Sequence, residues 1–504
     1  MRRLLSFLLS AALLLTLSAC GTFGASSSSP DDSPPQDSGS QGNPTPVDIP
    51  FSLSAYPAYS FHPALAENRA NLTLIPLLYE PLFQVDSSFQ AVPLLCQSDF
   101  ASEDKLSWTF SLRSGVTFSD GTPLTGDSVA SALNIARQAG SHYAQRLRDV
   151  TAVTAAENTV TITLSRPNGD LPALLDIPIS YGDGNRPLGT GPYVLSDQGD
   201  SITLLARTDW WQQKTVPVLE IPLTAASKSD DLVSSFDAGD VGVVDVDLMG
   251  TNALGYSGSY ETWDYATTDF LYLGFNTQSG LCRTVEVRRA LARAIDRDSI
   301  AQVDYASHAV AAALPVHPFS PLYDNTLAKA LSYDPEQLAA ELVSLKVAGH
   351  SLVLLVNNEN STKVGAAQRI ADQLSAAGLS VTVSKPAFDD YVNALKEGKF
   401  DLYLGEVMLT ADFDLSPLLG SGNTLNYGRW QDSQGDTLLA SLSMAEEAGR
   451  QTAATALFAY LNDQVPIAPV CFKNGSVLTQ WGRLSGLAPV QGNAFYRLED
   501  WRIQ

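Results

Sequence analysis

The chain has 504 residues, a formal charge of −23, 45% hydrophobic and 17% charged residues. This is the profile of a soluble globular protein, and so large a surplus of carboxylates opposes any phosphate backbone, which excludes nucleic acid as a partner. Beyond the N-terminus no apolar run approaches the length needed to cross a bilayer.

The chain opens with the three parts of a secretion signal: Arg2 and Arg3, an apolar stretch from Leu4 to Leu17, and the small residues Ser18 and Ala19 before Cys20. The stretch is too short to span a membrane. Leu17-Ser18-Ala19-Cys20 resembles the lipobox of bacterial lipoproteins, which implies a signal peptide of residues 1–19 and lipid on Cys20. An ordinary signal peptide, with Cys20 discarded, is the alternative. From Ser26 to Pro46 proline is the sole apolar residue type, so the stretch cannot offset its ordering entropy and reads as a tether over residues 20–47.

The following part, about 455 residues, is too long for one ordinary core and predicts two or three lobes. "LSWTFSL" alternates, with Trp108, Phe110 and Leu112 on one face of a strand that Asp120-Gly121 closes with a turn. A helix follows, capped by Thr125, with Asp127 in its first turn and Gly140 after its last. Val160, Ile162 and Leu164 face one way on the next strand, and residues 75 to 185 read as a small α+β subdomain. Later, "DPEQLAAELVSLKVAG" predicts a helix with Asp334 as cap, Pro335 at its first position, Gln337 at the capping-box position and Gly349 as stop. "LVLLV" (352–356) predicts a strand covered on both faces, and helices over 362–377 and 388–397 alternate with strands "LSVTV" and "FDLYLGEV". This β-α-β-α-β order predicts parallel strands. Val287, Leu291 and Ile295 put "VRRALARAID" on an amphipathic helix with its arginines facing water.

Cys96, Cys282 and Cys471 are odd in number and widely spaced; they admit one disulfide, imply none, and read most simply as buried thiols. The scattered histidines and the lack of C-x-x-C or H-E-x-x-H spacing leave no metal site, and no cofactor is expected.

Four phrases, "WTFSLRSGVTFSDGTPLTGDSVASAL", "LGTGPYVL", "LGFNTQSGLCRTVEVRRALARAIDRDSI" and "DLYLGEVMLTADFDLSPLL", together resemble the extracellular solute-binding proteins of the peptide/nickel class, family 5, which feed ATP-driven ABC importers. The resemblance runs in order from about residue 48 to 504. It implies a mixed α/β and α+β two-lobe clamp: lobe I over 48–268 with 75–185 as an extra subdomain, lobe II over 269–474, and a C-terminal return, 475–504, to lobe I. It also implies a monomer that hands its ligand to ABC permease subunits and touches the membrane through its N-terminal lipid alone.

Peptide-binding members of that family hold the ligand's α-ammonium with an aspartate in an alanine-aspartate-aromatic motif, which places Asp412 of Ala411-Asp412-Phe413 in that role. A carboxylate in a poorly solvated cleft makes a charge-assisted hydrogen bond to an ammonium worth about 1.5–3 kcal/mol. A loop or helix cap is the alternative for Asp412, and the expected role of Asp414. Asn276 reads as a ligand contact or a turn residue, and Tyr427 and Trp430 as an apolar wall or as core. Where short-peptide binders carry an arginine for the ligand carboxylate, this chain has Lys363, expected at the surface, and Arg369 a turn too late. The reading is therefore a lipid-anchored, extracytoplasmic peptide receptor that is not an enzyme. The alternatives are the same clamp holding a nickel chelate, an oligosaccharide or an opine-like molecule, and an exported hydrolase, for which no G-x-S-x-G, P-loop or zinc motif speaks.

Overall fold

The computed structural model describes residues 51–198 and 201–504; the expected signal peptide, Cys20 and the tether lie outside the described residues. Alternation in the sequence becomes an antiparallel four-stranded sheet in the order Cys96–Ala101, Ser107–Leu112, Thr159–Leu164, Val150–Ala156. Trp108, Phe110, Leu112, Val160, Ile162 and Leu164 share one buried cluster with Val129 and Leu133 of the helix Gly126–Ala136. That helix starts where Thr125 accepts a hydrogen bond from the Ser128 amide at 3.3 Å. A Cβ at Gly126 would lie 2.6 Å from the Thr159 carbonyl, so the helix can dock on the sheet because its first residue is glycine.

A second four-stranded sheet runs Leu53–Ala55, Glu220–Ala225, Ser201–Ala206, Tyr193–Gln198. The helix Arg69–Leu78 buries Leu74, Leu77 and Leu78 in its core, which also takes Phe495 and Trp501 from the C-terminal residues.

The largest sheet is mixed, in the order Val243–Val246, Ile467–Gln480, Tyr260–Phe275, Leu402–Met408, Ser351–Leu355, Ser380–Ser384. Ser351–Leu355 is parallel to both its neighbours, with the helices Ser361–Ala376 and Phe388–Glu397 as the connections, as the alternating pattern predicts. The two longest strands, Tyr260–Phe275 and Ile467–Gln480, run antiparallel through the whole sheet and join its two ends. Their register shifts between Ala266 and Phe270, where Thr267 donates to the Lys473 carbonyl at 2.7 Å and Thr268 to the Leu409 carbonyl at 2.6 Å. Such a bulge bends a strand and re-aims its side chains. Here it brings Asp269 and Lys473 together.

The 352–356 run is covered on both faces, Leu352, Leu354 and Val356 in one cluster and Leu355 in another, except at Val353, which is 38% exposed. Four local expectations change. The helix that Asp334 caps ends at Ser344, before Gly349, because Lys346 turns left-handed (φ 60°), and Gln337 donates forward to Glu341 rather than back to the cap. Arg288 is buried, not wet: it donates to the carbonyls of Gln464 and Val465 at the end of the helix Glu447–Gln464, where unsatisfied acceptors and the dipole favour a cation. Lys363 is buried as well, at 5% exposure. Cys96, Cys282 and Cys471 are free and buried.

Candidate functional site

A cavity of about 280 Å3 lies between the Arg69–Leu78 helix, the strands Leu53–Ala55 and Val243–Val246, and the loop 250–256. Its walls are mostly apolar, with Leu53, Leu74, Val244 and Tyr256 among them. The polar groups converge on one side: Arg69 meets Asp245 at 3.2 Å, and the Tyr265 hydroxyl donates to the same carboxylate at 2.8 Å. Ser54, in the wall, has a buried hydroxyl with no partner. An apolar pocket with a few converging polar groups is the geometry that binds small molecules.

The cavity, lined wholly by residues between 53 and 256, borders a seam with the Ser361–Ala376 helix. Asp247, in its wall, accepts from the Met249 amide at 3.1 Å, and the Met249 carbonyl accepts from the Asn360 side chain at 2.9 Å. Asn360 is the residue whose side-chain oxygen caps the Ser361–Ala376 helix through the Lys363 amide at 3.0 Å. One short amide thus starts a helix of the parallel layer and ties it to the cavity loop.

Asp247 also opens onto a buried charge network. The Lys473 ammonium lies 2.7 Å from Glu406, 3.4 Å from Asp269 and 3.5 Å from Asp247, and Lys363 approaches the other Glu406 oxygen at 3.8 Å. Burial works against the charge on Lys473, but Glu406, Asp269 and Asp247 outweigh it and hold that ammonium above its ordinary pKa. Burial pushes Lys363 below its ordinary value, and Glu406 offsets only part of this. Burial raises Asp269, and its like-charged neighbours Glu406 and Asp247 add to the shift despite Lys473. The network spans the cavity loop, both long strands, the Leu402–Met408 strand and the Ser361–Ala376 helix, so it joins groups on both sides of the seam.

Asp412 lies beyond the end of the Leu402–Met408 strand, 5% exposed. Its carboxylate accepts from the Thr410 hydroxyl, from the Asn168 side chain at 2.9 Å and from the Asp414 amide at 3.3 Å; these partners are all neutral. Its carbonyl accepts from Arg450 at 2.6 Å. The free space beside it, lined by Arg166, Asn168 and Thr410, is about 30 Å3, room for little more than one water. Asp414 caps the following turn through the Ser416 amide and pairs with Arg148 and Arg166 at 3.1 Å each. Asp170 meets Arg450 at 3.4 Å. Burial raises the Asp170 carboxyl to about 6, with Arg450 opposing and Asp412 and Glu447 adding to the shift.

The other expected site residues are not brought to this seam. Asn276 is buried, donates to the carbonyls of Gly398 and Phe400 and accepts from the Gln278 and Ser279 amides, so its side chain is spent on a turn. Trp430 is 5% exposed in the core; its ring fills the space where a Cβ on Gly435 would stand 2.3 Å away. Tyr427 packs edge-on to Tyr403 with centroids 6.4 Å apart. The corrections have one cause: a short amide and two aromatics found better-satisfied places in the core than in a cleft. Arg369 pairs with Asp304 on the outside of its helix. The residues that the sequence reading missed are Arg69, Asp245, Asp247, Asp269, Glu406 and Lys473. The one local signal among them was a lysine inside the otherwise apolar "IAPVCFKNGSVL".

Comparison with known proteins gives the same fold. The family described as Bacterial extracellular solute-binding proteins, family 5 Middle, matches residues 90–426. The Glutathione-binding protein GsiB of Escherichia coli (strain K12) is 26% identical over 410 residues, 74% of this chain and 79% of that protein. Among solved structures, HbpA2 from Haemophilus parasuis superimposes with a TM-score of 0.75 at 20% identity, covering 90% of this chain and 99% of the other. The oligopeptide-binding protein AppA from Bacillus subtilis, in complex with a nonapeptide, gives 0.60 at 18% identity, covering 90% and 98%. The architecture is a two-lobe clamp of mixed α/β and α+β construction, as the resemblance implied.

Proposed function

Because the chain belongs to the bacterial extracellular solute-binding proteins of family 5, we propose that it is the receptor of an ABC importer, binding short peptides between its lobes and delivering them to the permease. In this reading lobe I comprises 48–268 with 475–504, lobe II comprises 269–474, and lipid on Cys20 holds the monomer at the outer face of the membrane. The observation that supports the reading is a cavity of about 680 Å3 with walls from both proposed lobes, Phe83, Lys105, Trp108 and Asp170 on one side and Leu322, Phe413, Glu446 and Arg450 on the other, so that carboxylates and cationic groups face it together. A peptide backbone brings an ammonium, a carboxylate and amide groups, and a site built for peptides of varied sequence grips those rather than the side chains. Asp412 is the acceptor for the ligand's α-ammonium, with Asn168 as the internal donor that the ligand displaces. The chain performs no chemistry on its ligand.

Native mass spectrometry of the protein as purified tests this. A ladder of peptide masses released on activation is the expected result. A single non-peptide mass, or turnover of an added peptide above a buffer blank, overturns it.

A further inference from the structure

Resting on that peptide reading, we propose that Lys105 takes the carboxylate of the ligand, and that Glu446 is the chain's own competitor for that place. The wall of the 680 Å3 cavity holds two cationic groups, Lys105 and Arg450. They are held in different ways. Arg450 is spent on the fold: it donates to the Asp412 carbonyl at 2.6 Å and meets Asp170 at 3.4 Å. The Lys105 side chain is 9% exposed, and its ammonium pairs with Glu446 at 2.5 Å. An ammonium has three donors, and Glu446 takes one of them. The Glu446 side chain itself is 71% exposed and belongs to the opposite wall, at the start of the helix Glu447–Gln464.

This difference in burial decides which partner a guest replaces. A buried cation is costly without a counter-ion, whereas an exposed carboxylate gains little from its ion pair and returns to water readily. A carboxylate that enters the cavity therefore displaces Glu446, and Lys105 stays paired throughout the exchange. Asp99 and Glu447, the carboxylates of the wall outside these two pairs, are exposed, so water and salt screen their repulsion of the guest. The ammonium is also presented from a fixed point. Lys105 lies in the turn between the strands Cys96–Ala101 and Ser107–Leu112 with a left-handed backbone (φ 56°), its amide donating to the Ser102 carbonyl at 3.0 Å. Its carbonyl accepts from the Asn168 amide at 3.1 Å, and the Asn168 side chain donates to Asp412 at 2.9 Å. The groups assigned to the two ends of the guest are thus tied through one residue.

Titration calorimetry of the full chain with Ala-Ala-Ala and with its C-terminal amide tests the assignment. The free acid is expected to bind about tenfold or more tighter, the worth of a charge-assisted hydrogen bond. Lys105→Met is expected to close that gap and Lys105→Arg to keep it. Glu446→Gln, at an exposed side chain, is the second variant should Lys105→Met fail to fold; it removes the competitor and is expected to widen the gap about threefold. Equal binding of acid and amide by the parent, a gap that Lys105→Met leaves intact, or one that Glu446→Gln narrows overturns the assignment while leaving a peptide receptor. Binding of neither peptide overturns the peptide reading and the assignment with it.

Discussion

Two of the polar contacts between the first and second parts of the chain are built in opposite ways. Lys473, Glu406 and Asp269 of the buried network sit on paired strands, with the Lys473 side chain 5% exposed and the register set by the bulge between Ala266 and Phe270. The Asp412–Asp414 contact is made by loops: Asn168, Arg148 and Arg166 reach across from the subdomain to a segment more than two hundred residues away, and their own side chains are partly exposed. A charge network inside a sheet cannot separate without breaking the sheet. A contact between loops separates when the lobes move. In the proposed function the first stays intact and the second is a clasp that opening remakes.

The comparison is most sharply tested at Lys473. Replacing it by methionine leaves three carboxylates in a buried site without their common partner, and the loss of one side of such a set costs about 3–5 kcal/mol. Urea unfolding is expected to show that loss; a change under 1 kcal/mol would make the network a solvated feature and remove the distinction. Next in size is Asp412→Asn, expected to weaken peptide affinity by about 1–3 kcal/mol with little change in unfolding. Unchanged affinity would leave Asp412 as clasp alone. Asn168→Ala removes the competing donor and is expected to tighten peptide binding by about 0.5–1.5 kcal/mol in the same titration; weaker binding would show that Asn168 contacts the ligand instead. Arg166→Ala, with a half-exposed side chain, is expected to shift stability by no more than about 1 kcal/mol, and a larger loss would make the clasp as permanent as the network.

The clasp also carries a pH signature. Burial pushes the Asp170 carboxyl up to about 6, above the ordinary value of about 3.9 for an exposed chain. A raised folded value stabilises the protonated form, so this contribution is full below about pH 4 and is lost as the pH rises through about 6. Melting curves between pH 4 and 7 are expected to show that trend in the parent and to lose it in Asp170→Asn. An identical pH profile in both would place the titration elsewhere.

Local physics made much of the fold legible. Thr125 and Asn360 cap helices by short-range hydrogen bonds, Gly378 takes a positive φ after Ala376, and the Ser107–Leu112 strand buries alternate side chains, all as short windows of sequence dictate. The site was not legible in the same way. Lys473 stands near Asp269, Glu406 and Asp247 because two long strands and a bulge bring them together, and no local pattern encodes that pairing. Asn276 was misleading for a physical reason: a side chain able to contact a ligand is equally able to close its own turn with two donors and an acceptor. Arg288 misled likewise, since a helix periodicity cannot show that the next element ends in bare carbonyls.

The most direct measurement is a crystal structure of the chain with a bound tripeptide. The account predicts the peptide between the lobes, its α-ammonium about 3 Å from the Asp412 carboxylate in place of Asn168. A peptide seated elsewhere, or Asn168 still bound to Asp412 beside an empty seam, would contradict it.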